Sequence, residues 1–348
     1  MADTPQNSHT FSRHIAPFAP LALALLMNAV PPANKAGLVE MEAPTETTAA
    51  KCDEVADFTD CHSRFPTGCS AAAGYDAYLN LLKNDVIPPP PPTTQIKFLS
   101  QTDYTNLDAN IPSGLTRNNH EDFGDELKRM GEGQLFGLVG YLYYAIHSGS
   151  ESSNCQLNGP PGDPQFSNVD YHIGIGFDPA VAAQLRGGAT PEPVAATAKS
   201  KSPRRSKSSG SGASELQQTS VIVEMTPHTR FQFENNIWTL DNLKAAVGRK
   251  VKVMGQLLID SEHNAPSQNC ASAKTSKQKS TCWRASVWEL HPVVDFQVCA
   301  TDSCDTPDSP DWVPLDVAVA TAPTTNVAES RNGQTSIGAS SKKTKSAR

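Results

Sequence analysis

The sequence predicts a mainly β protein built on an OB-fold-like, five-stranded barrel, and three observations carry that prediction. Five segments after Gly133 alternate apolar and polar residues with the period of two that marks half-buried strands. A short helical segment ending at Gly248 falls between the third and fourth of them. The resulting order, β-β-β-α-β-β, is that of an OB-fold, a five-stranded Greek-key barrel. Another small barrel or an α+β sandwich shares the order.

The elements follow in chain order. Residues 1–36 read as a signal peptide, with Arg13 and His14 ahead of an apolar run from Ile15 to Val30. That run suits a signal-peptide core better than a membrane span of about 20 residues. An uncleaved anchor or a cytosolic apolar N-terminus is the alternative. Residues 37–51 form a Thr/Ala/Glu-rich disordered leader. Residues 52–87 are a Cys-containing segment with a helix over Tyr75–Leu82, where Tyr78, Leu81 and Leu82 recur at helical spacing. Pro88–Pro92 is a stiff polyproline spacer. Residues 93–133 read as an irregular connector with a short helix near Glu121–Met130.

The barrel domain spans 134–304. Its expected strands are Leu135–His147, Asp170–Phe177, Ser220–Met225, Lys250–Ile259 and Ser286–Val298, with the helix Leu240–Val247 after the third. Tyr171, Ile173, Ile175 and Phe177 share one face of the second strand. Trp288, Leu290, Val294, Phe296 and Val298 share one face of the fifth. Gly174 and Gly176 inside a strand mark a bulge or a barrel corner. The insert 187–218 and the C-terminal tail 305–348 are expected to be disordered, the tail most plainly beyond Pro323, because both are poor in apolar residues.

Composition sets limits on function. Of 348 residues, 38% are hydrophobic and 19% charged. Globular chains usually hold roughly 45–50% (counting Gly) and 25%, so part of this chain lies outside any core. Twenty-nine basic against 36 acidic residues give a net charge of -7, which excludes a uniformly basic nucleic-acid coat. A single short apolar run excludes a multi-span membrane protein, and no stable membrane insertion is expected once the signal is removed. The basic residues Lys199, Lys201, Arg204, Arg205 and Lys207 sit in the insert, where they license no more than weak polyanion contact. Tyr141, Tyr143, Tyr144 and Tyr171 are the aromatics available for stacking on bases.

Eight Cys in a loop-rich chain point to disulfides and to a secreted or periplasmic location. Cys270 and Cys282 bracket one polar segment, and Cys299 and Cys304 bracket a tight turn. Cys52, Cys61 and Cys69 crowd together, leaving Cys155 to pair with one of them. The chain has no C-x-x-C pair, which argues against a cysteine zinc site.

The polar residues on the strands carry the chemistry. Asp170 and His172, Glu224, and Glu289 with His291 lie opposite the apolar faces of strands two, three and five, which an OB barrel sets side by side. They are expected to converge on one outward patch, with Asp260 and His263 at its rim. Two imidazoles among carboxylates are ligands for a divalent metal, in which case His172, His291, Glu289 and Asp170 hold the ion. Glu224 or His263 then moves protons. The same residues also serve as a contact surface, or as cross-strand pairs stabilising the sheet by under about 1 kcal/mol each. No P-loop, G-x-G-x-x-G, H-E-x-x-H or G-x-S-x-G motif occurs.

The series Asp170-x-His172, Val221-Ile222-Val223-Glu224-Met225, Gly255-x-Leu257-x-x-Asp260-x-x-His263 and Trp288-Glu289-Leu290-His291-Pro292-Val293 resembles a group of secreted bacterial proteins of no known activity. Those read roughly D-x-H, V-E-[IM]-P, G-x-L-x-D-x-x-H and E-[IL]-H-P-V. The resemblance spans about residues 134–299, and its E-L-H-P-V piece is the most specific. Two features depart from the group: Thr226 stands before Pro227, and the basic insert separates strands that are usually joined closely. The resemblance implies a secreted barrel and points to these polar residues, without supplying a reaction. The sequence thus reads as an extracytoplasmic binding or interaction module of unknown ligand. The alternative is a metal-dependent hydrolase, a phosphodiesterase or nuclease.

Overall fold

The computed structural model describes residues 52 and 55–321, apart from 71–75, 86, 89, 92–93, 160–162, 164–165, 188–214, 233–236 and 302. The expected signal and leader, the basic stretch of the insert and the end of the tail lie outside the described residues.

Seven strands form one sheet: β1 (Lys97–Leu99), β2 (Leu135–His147), β3 (Tyr171–Gly176), β4 (Val221–Met225), β5 (Lys250–Ile259), β6 (Trp288–Cys299) and β7 (Trp312–Pro314). The five expected strands are β2 to β6. β2 pairs antiparallel with β3, and β3 with β4; β4 then runs parallel beside β6, β6 pairs antiparallel with β5, and β5 closes back onto β2. This is the closed five-stranded barrel of the OB arrangement, with its third and fifth strands adjacent. The helix Leu240–Ala245 sits where expected, buries Leu240 and Leu243, and is capped by the Thr239 hydroxyl. Gly248, at φ +81°, turns the chain into β5 where a Cβ would meet the Ala182 carbonyl at 2.8 Å.

Two irregularities alter which residues face the core. Strict alternation along β2 would put Ala145 with Val139 and Tyr141. The β2–β3 ladder shifts between Leu142 and Tyr144, and Ala145 joins Leu138 and Leu142 inside. Gly174 and Gly176 lie opposite this shift because added Cβ atoms would meet the rings of Tyr144 and Tyr143 at 2.1 and 1.9 Å. With Tyr143 and Tyr171 buried as well, these rings are packing elements rather than a stacking platform. The β5–β6 ladder shifts around Gly255, so Val293 faces the core in place of the expected Val294.

All eight cysteines pair: Cys52–Cys69, Cys61–Cys155, Cys270–Cys282 and Cys299–Cys304. The N-terminal segment forms two helices, Phe58–Arg64 and Ala77–Lys83, whose first turns are capped by Asp57 and Asp76. It lies against the outer face of the barrel, where Gln256 Nε2 donates to the Leu82 carbonyl at 2.8 Å. Asn80 bonds Ser152, and Asn84 donates to the Ser153 carbonyl, so the loop around Cys155 and this segment form one cap.

Three expectations of irregular chain are overturned. The connector 93–133 contains β1, parallel to β2, and the helix Gln101–Ala109. That helix has little apolar periodicity; a capping box between Ser100 and Asp103 starts it, and buried Tyr104 anchors it. The insert ends in a helical turn, Glu215–Gln218. The tail begins with β7, paired to β6 through Val298 and Val313, and continues as the helix Leu315–Ala320. Trp312 packs on the Cys299–Cys304 disulfide and Leu315 is fully buried, which gives this stretch its apolar anchors. Among the described residues no helix is long and apolar enough to cross a membrane.

Asp108 ties the helix Gln101–Ala109 to the start of β6, accepting from the Val287 N–H at 3.3 Å. Burial lifts its carboxyl to about 6, against hydrogen bonds from Ser286, Val287 and Asn269 and the charge of Arg284. The folded protein therefore holds this proton more tightly than the unfolded chain, whose Asp titrates near about 3.9. Stability from this group is complete below about pH 4 and is lost as pH rises through 6. Asp108→Asn is expected to reduce the fall in unfolding free energy between about pH 4 and 7 by about 2 kcal/mol, read by chemical denaturation. A variant whose pH profile matches the parent's would assign that loss to other groups.

Candidate metal centre

Tyr171, Ile173, Val223, Met225, Trp288 and Leu290 fill the barrel, so alternation turns His172, Glu224, Glu289 and His291 to its outer face. That face is not open, contrary to the expected outward patch. The helix Ala77–Lys83 and the loop 148–156 cover it, leaving Asp170 and Glu224 1% and Glu289 and His291 0% exposed. The Cys61–Cys155 bond holds this cover in place across 94 residues of sequence, a constraint that strand patterns do not reveal.

The five residues come together. His172 and Glu224 are register partners across β3 and β4, and His172 Nε2 lies 3.2 Å from Glu224 Oε1 and 3.4 Å from Glu151 Oε1. The parallel neighbour β6 brings His291 Nδ1 to 3.1 Å from Glu224 Oε2, the other oxygen of the same carboxylate. His291 Nδ1 also bonds Glu289 Oε1 at 3.2 Å, and Nε2 points to Asp170 Oδ2 at 3.8 Å. Asn154 Nδ2 donates to Asp170 Oδ1 at 3.0 Å. Glu289 is thus the partner of the His291 ring and of Arg284, whose guanidinium bridges it to Asp260. Asp260 in turn holds His263 Nδ1.

Two buried atoms at the centre have no hydrogen-bond partner: Asp170 Oδ2 and His291 Nε2, which face each other at 3.8 Å. Buried polar atoms are rarely left so without a reason. The side chains of the cluster form two groups in which one ligand atom from each residue lies within 4.8 Å of the others. One is Asp170, Glu224 and His291, fully buried; the other is Glu151, His172 and Glu224, partly open. Glu289 belongs to neither group.

Mutual charge compensation sets the protonation. Burial and the Glu151 charge push Asp170 up to about 7. Burial disfavours the His291 cation, but the Glu224 charge and the hydrogen bonds that the ring donates to Glu224 and Glu289 outweigh it and raise the ring to about 10. Glu224 is held well below the carboxylate range because His172 and His291 overcome its burial. Lys83, 5% exposed, stays charged against its own burial through Asp260, Glu151 and Glu224. Such a network is neutralised either by protons on the imidazoles or by a divalent cation in their place.

Sequence reasoning missed Lys83, Glu151, Asn154 and Arg284. Arg284 stands beside Trp283 ahead of β6, and nothing in its spacing marks it as buried. Lys83, Glu151 and Asn154 reach the site through the cap. A cavity of about 370 Å³ opens here, lined among others by Lys83, Arg117, Glu151, His172, Glu224 and His263. No protein-family model, no curated protein and no solved structure matches the chain, so the site's own geometry carries the reading of function.

Arg284 is the compensating charge for two buried carboxylates. Arg284→Met leaves Asp260 and Glu289 with only their imidazole partners, His263 and His291, and is expected to cost about 3–5 kcal/mol of unfolding free energy. A loss under about 1 kcal/mol in a denaturant titration would mean that this pair of bridges is dispensable.

Proposed function

We propose that the chain is an extracytoplasmic binding module in which Asp170, Glu224 and His291 hold a divalent cation beneath a disulfide-bonded cap. The observation that carries this is the grouping of three fully buried residues, each with one candidate ligand atom within 4.8 Å of the others, with Asp170 Oδ2 and His291 Nε2 left without a hydrogen-bond partner. Supporting groups orient two of the three ligands: Glu289 takes the Nδ1 side of His291, leaving Nε2 free, and Asn154 takes one oxygen of Asp170. Carboxylate or carbonyl groups behind a ligating imidazole are the usual way its tautomer is fixed. Two carboxylates and an imidazole suit zinc, manganese or iron(II). The four disulfides support a location in an oxidising compartment.

A specific observation favours a second reading, the metal-dependent hydrolase. His263 lines the same cavity as His172 and Glu224, with its Nδ1 held by the buried carboxylate of Asp260. An imidazole oriented in this way serves as general acid or base beside a metal-activated water.

The full chain, purified without chelator, is expected to retain close to one equivalent of divalent metal by elemental analysis, and His291→Gln to lose it with the fold intact by circular dichroism. A folded chain that takes up no zinc, manganese or iron(II) sinks the proposal. Incubation with labelled single-stranded DNA and RNA, with added metals or EDTA, separates the two readings. Metal-dependent cleavage that disappears in His263→Ala selects the hydrolase, and its absence under every metal selects the binding module.

A further inference from the structure

We infer that the centre holds a second, exchangeable divalent cation between Glu151, His172 and Glu224, and that this outer ion, with Lys83 and Arg117, binds a phosphoryl anion in the cavity. The inference rests on the cation reading above and extends it to what the module recognises.

Glu224 is placed as a bridge. Its Oε1 faces His172 at 3.2 Å and its Oε2 faces His291 at 3.1 Å, so each oxygen addresses one imidazole and one ligand group. A carboxylate presented in this way is a common link between two metal ions a few ångströms apart. The two groups differ in access. Asp170 and His291 are closed off, whereas the side chains of Glu151 and His172 remain 22% and 19% exposed and line the cavity. An ion with protein ligands on one side and a cavity on the other keeps coordination positions for an incoming group.

Charge identifies that group. Glu151, Asp170, Glu224, Asp260 and Glu289 are met within the cluster by Lys83 and Arg284. With both imidazoles neutral, as ligation requires, three negative charges remain. One divalent ion leaves a single negative charge, and two leave a single positive one. The doubly occupied centre therefore attracts an anion, and the cavity provides the donors for it. Lys83 Nζ stands 3.9 Å from Glu151 on this side. Arg117 lines the same space, with Nη1 on Glu262 at 2.6 Å and a buried Nε that has no partner. Ser152, held by Asn80, adds a hydroxyl. A tetrahedral phosphoryl group presents several oxygens to two ions and to cationic side chains at once, which a carboxylate does less fully.

Titration with Mn(II) is the test, read by calorimetry and by electron paramagnetic resonance, with inorganic phosphate, a phosphomonoester and acetate as anion probes. Two equivalents are expected, with the broadened spectrum of a bridged pair. Glu151→Gln, at a partly exposed position, is expected to keep the first equivalent and its thermal midpoint while weakening the second at least about tenfold. Phosphate is expected to bind only the doubly loaded protein, and Arg117→Gln to weaken it by a similar factor; acetate is expected to bind more weakly. A phosphomonoester binding where free phosphate does not would assign the site to esterified phosphate. One equivalent untouched by Glu151→Gln, or two with no phosphoryl binding, overturns this inference and leaves the inner cation standing. No equivalents at all overturns the cation reading itself.

Discussion

Burying carboxylates on the outside of a barrel is the constraint that the rest of this molecule answers to. Ionised groups taken out of water are costly unless paired and fully hydrogen-bonded. Here five carboxylates lie under one cover, and Lys83, Arg284 and two imidazoles face them. Arg284 bridges Asp260 and Glu289, Lys83 enters from the cap, and His172 and His291 flank Glu224. The alternation that fills the barrel with Tyr171, Val223 and Leu290 forces this arrangement, since it turns each intervening polar residue to the same outer face.

Topology then decides which of those residues meet. β3, β4 and β6 are far apart in sequence, and only the parallel pairing of β4 with β6 places Glu224 between the imidazoles of its two neighbours. An antiparallel meander in chain order would have set β5 beside β4 and kept His291 away. The centre is therefore a product of the Greek-key connection. The helix Leu240–Ala245, which bridges the gap after β4, supports it only at a distance, by sealing the barrel with Leu240 and Leu243.

The strands and their polar residues were legible because period-two alternation survives in single segments: β2 and β5 match their expected bounds, and the His172–Glu224 and Glu289–His291 neighbourhoods follow from strand order alone. What was not legible is of three kinds. Ladder shifts at Leu142 and Gly255 depend on the partner strand, so Ala145 and Val293 could not be assigned to the core from their own segments. The helix Gln101–Ala109 is set by a capping box rather than by apolar spacing. The cover over the site is set by a disulfide that spans 94 residues. A polar strand face reads as solvated until something non-local covers it, and Asp170, Glu224, Glu289 and His291 looked outward for that reason.

The cap is more than a cover, because it contributes charged and hydrogen-bonding groups to the cluster itself. Glu151 and Asn154 come from the loop that Cys155 tethers, and Lys83 from the helix that packs on it. The barrel contributes the closed half of the centre and the cap contributes the open half. The Cys61–Cys155 bond joins the two parts of the cap, the N-terminal segment and the loop between β2 and β3, which a few polar contacts also link. Chain closure over so long a span also removes freedom mainly from the unfolded chain, worth about 4–5 kcal/mol in the loop-entropy account. The same bond that restricts the unfolded chain thus also holds the loop that brings Glu151 and Asn154 to the cluster.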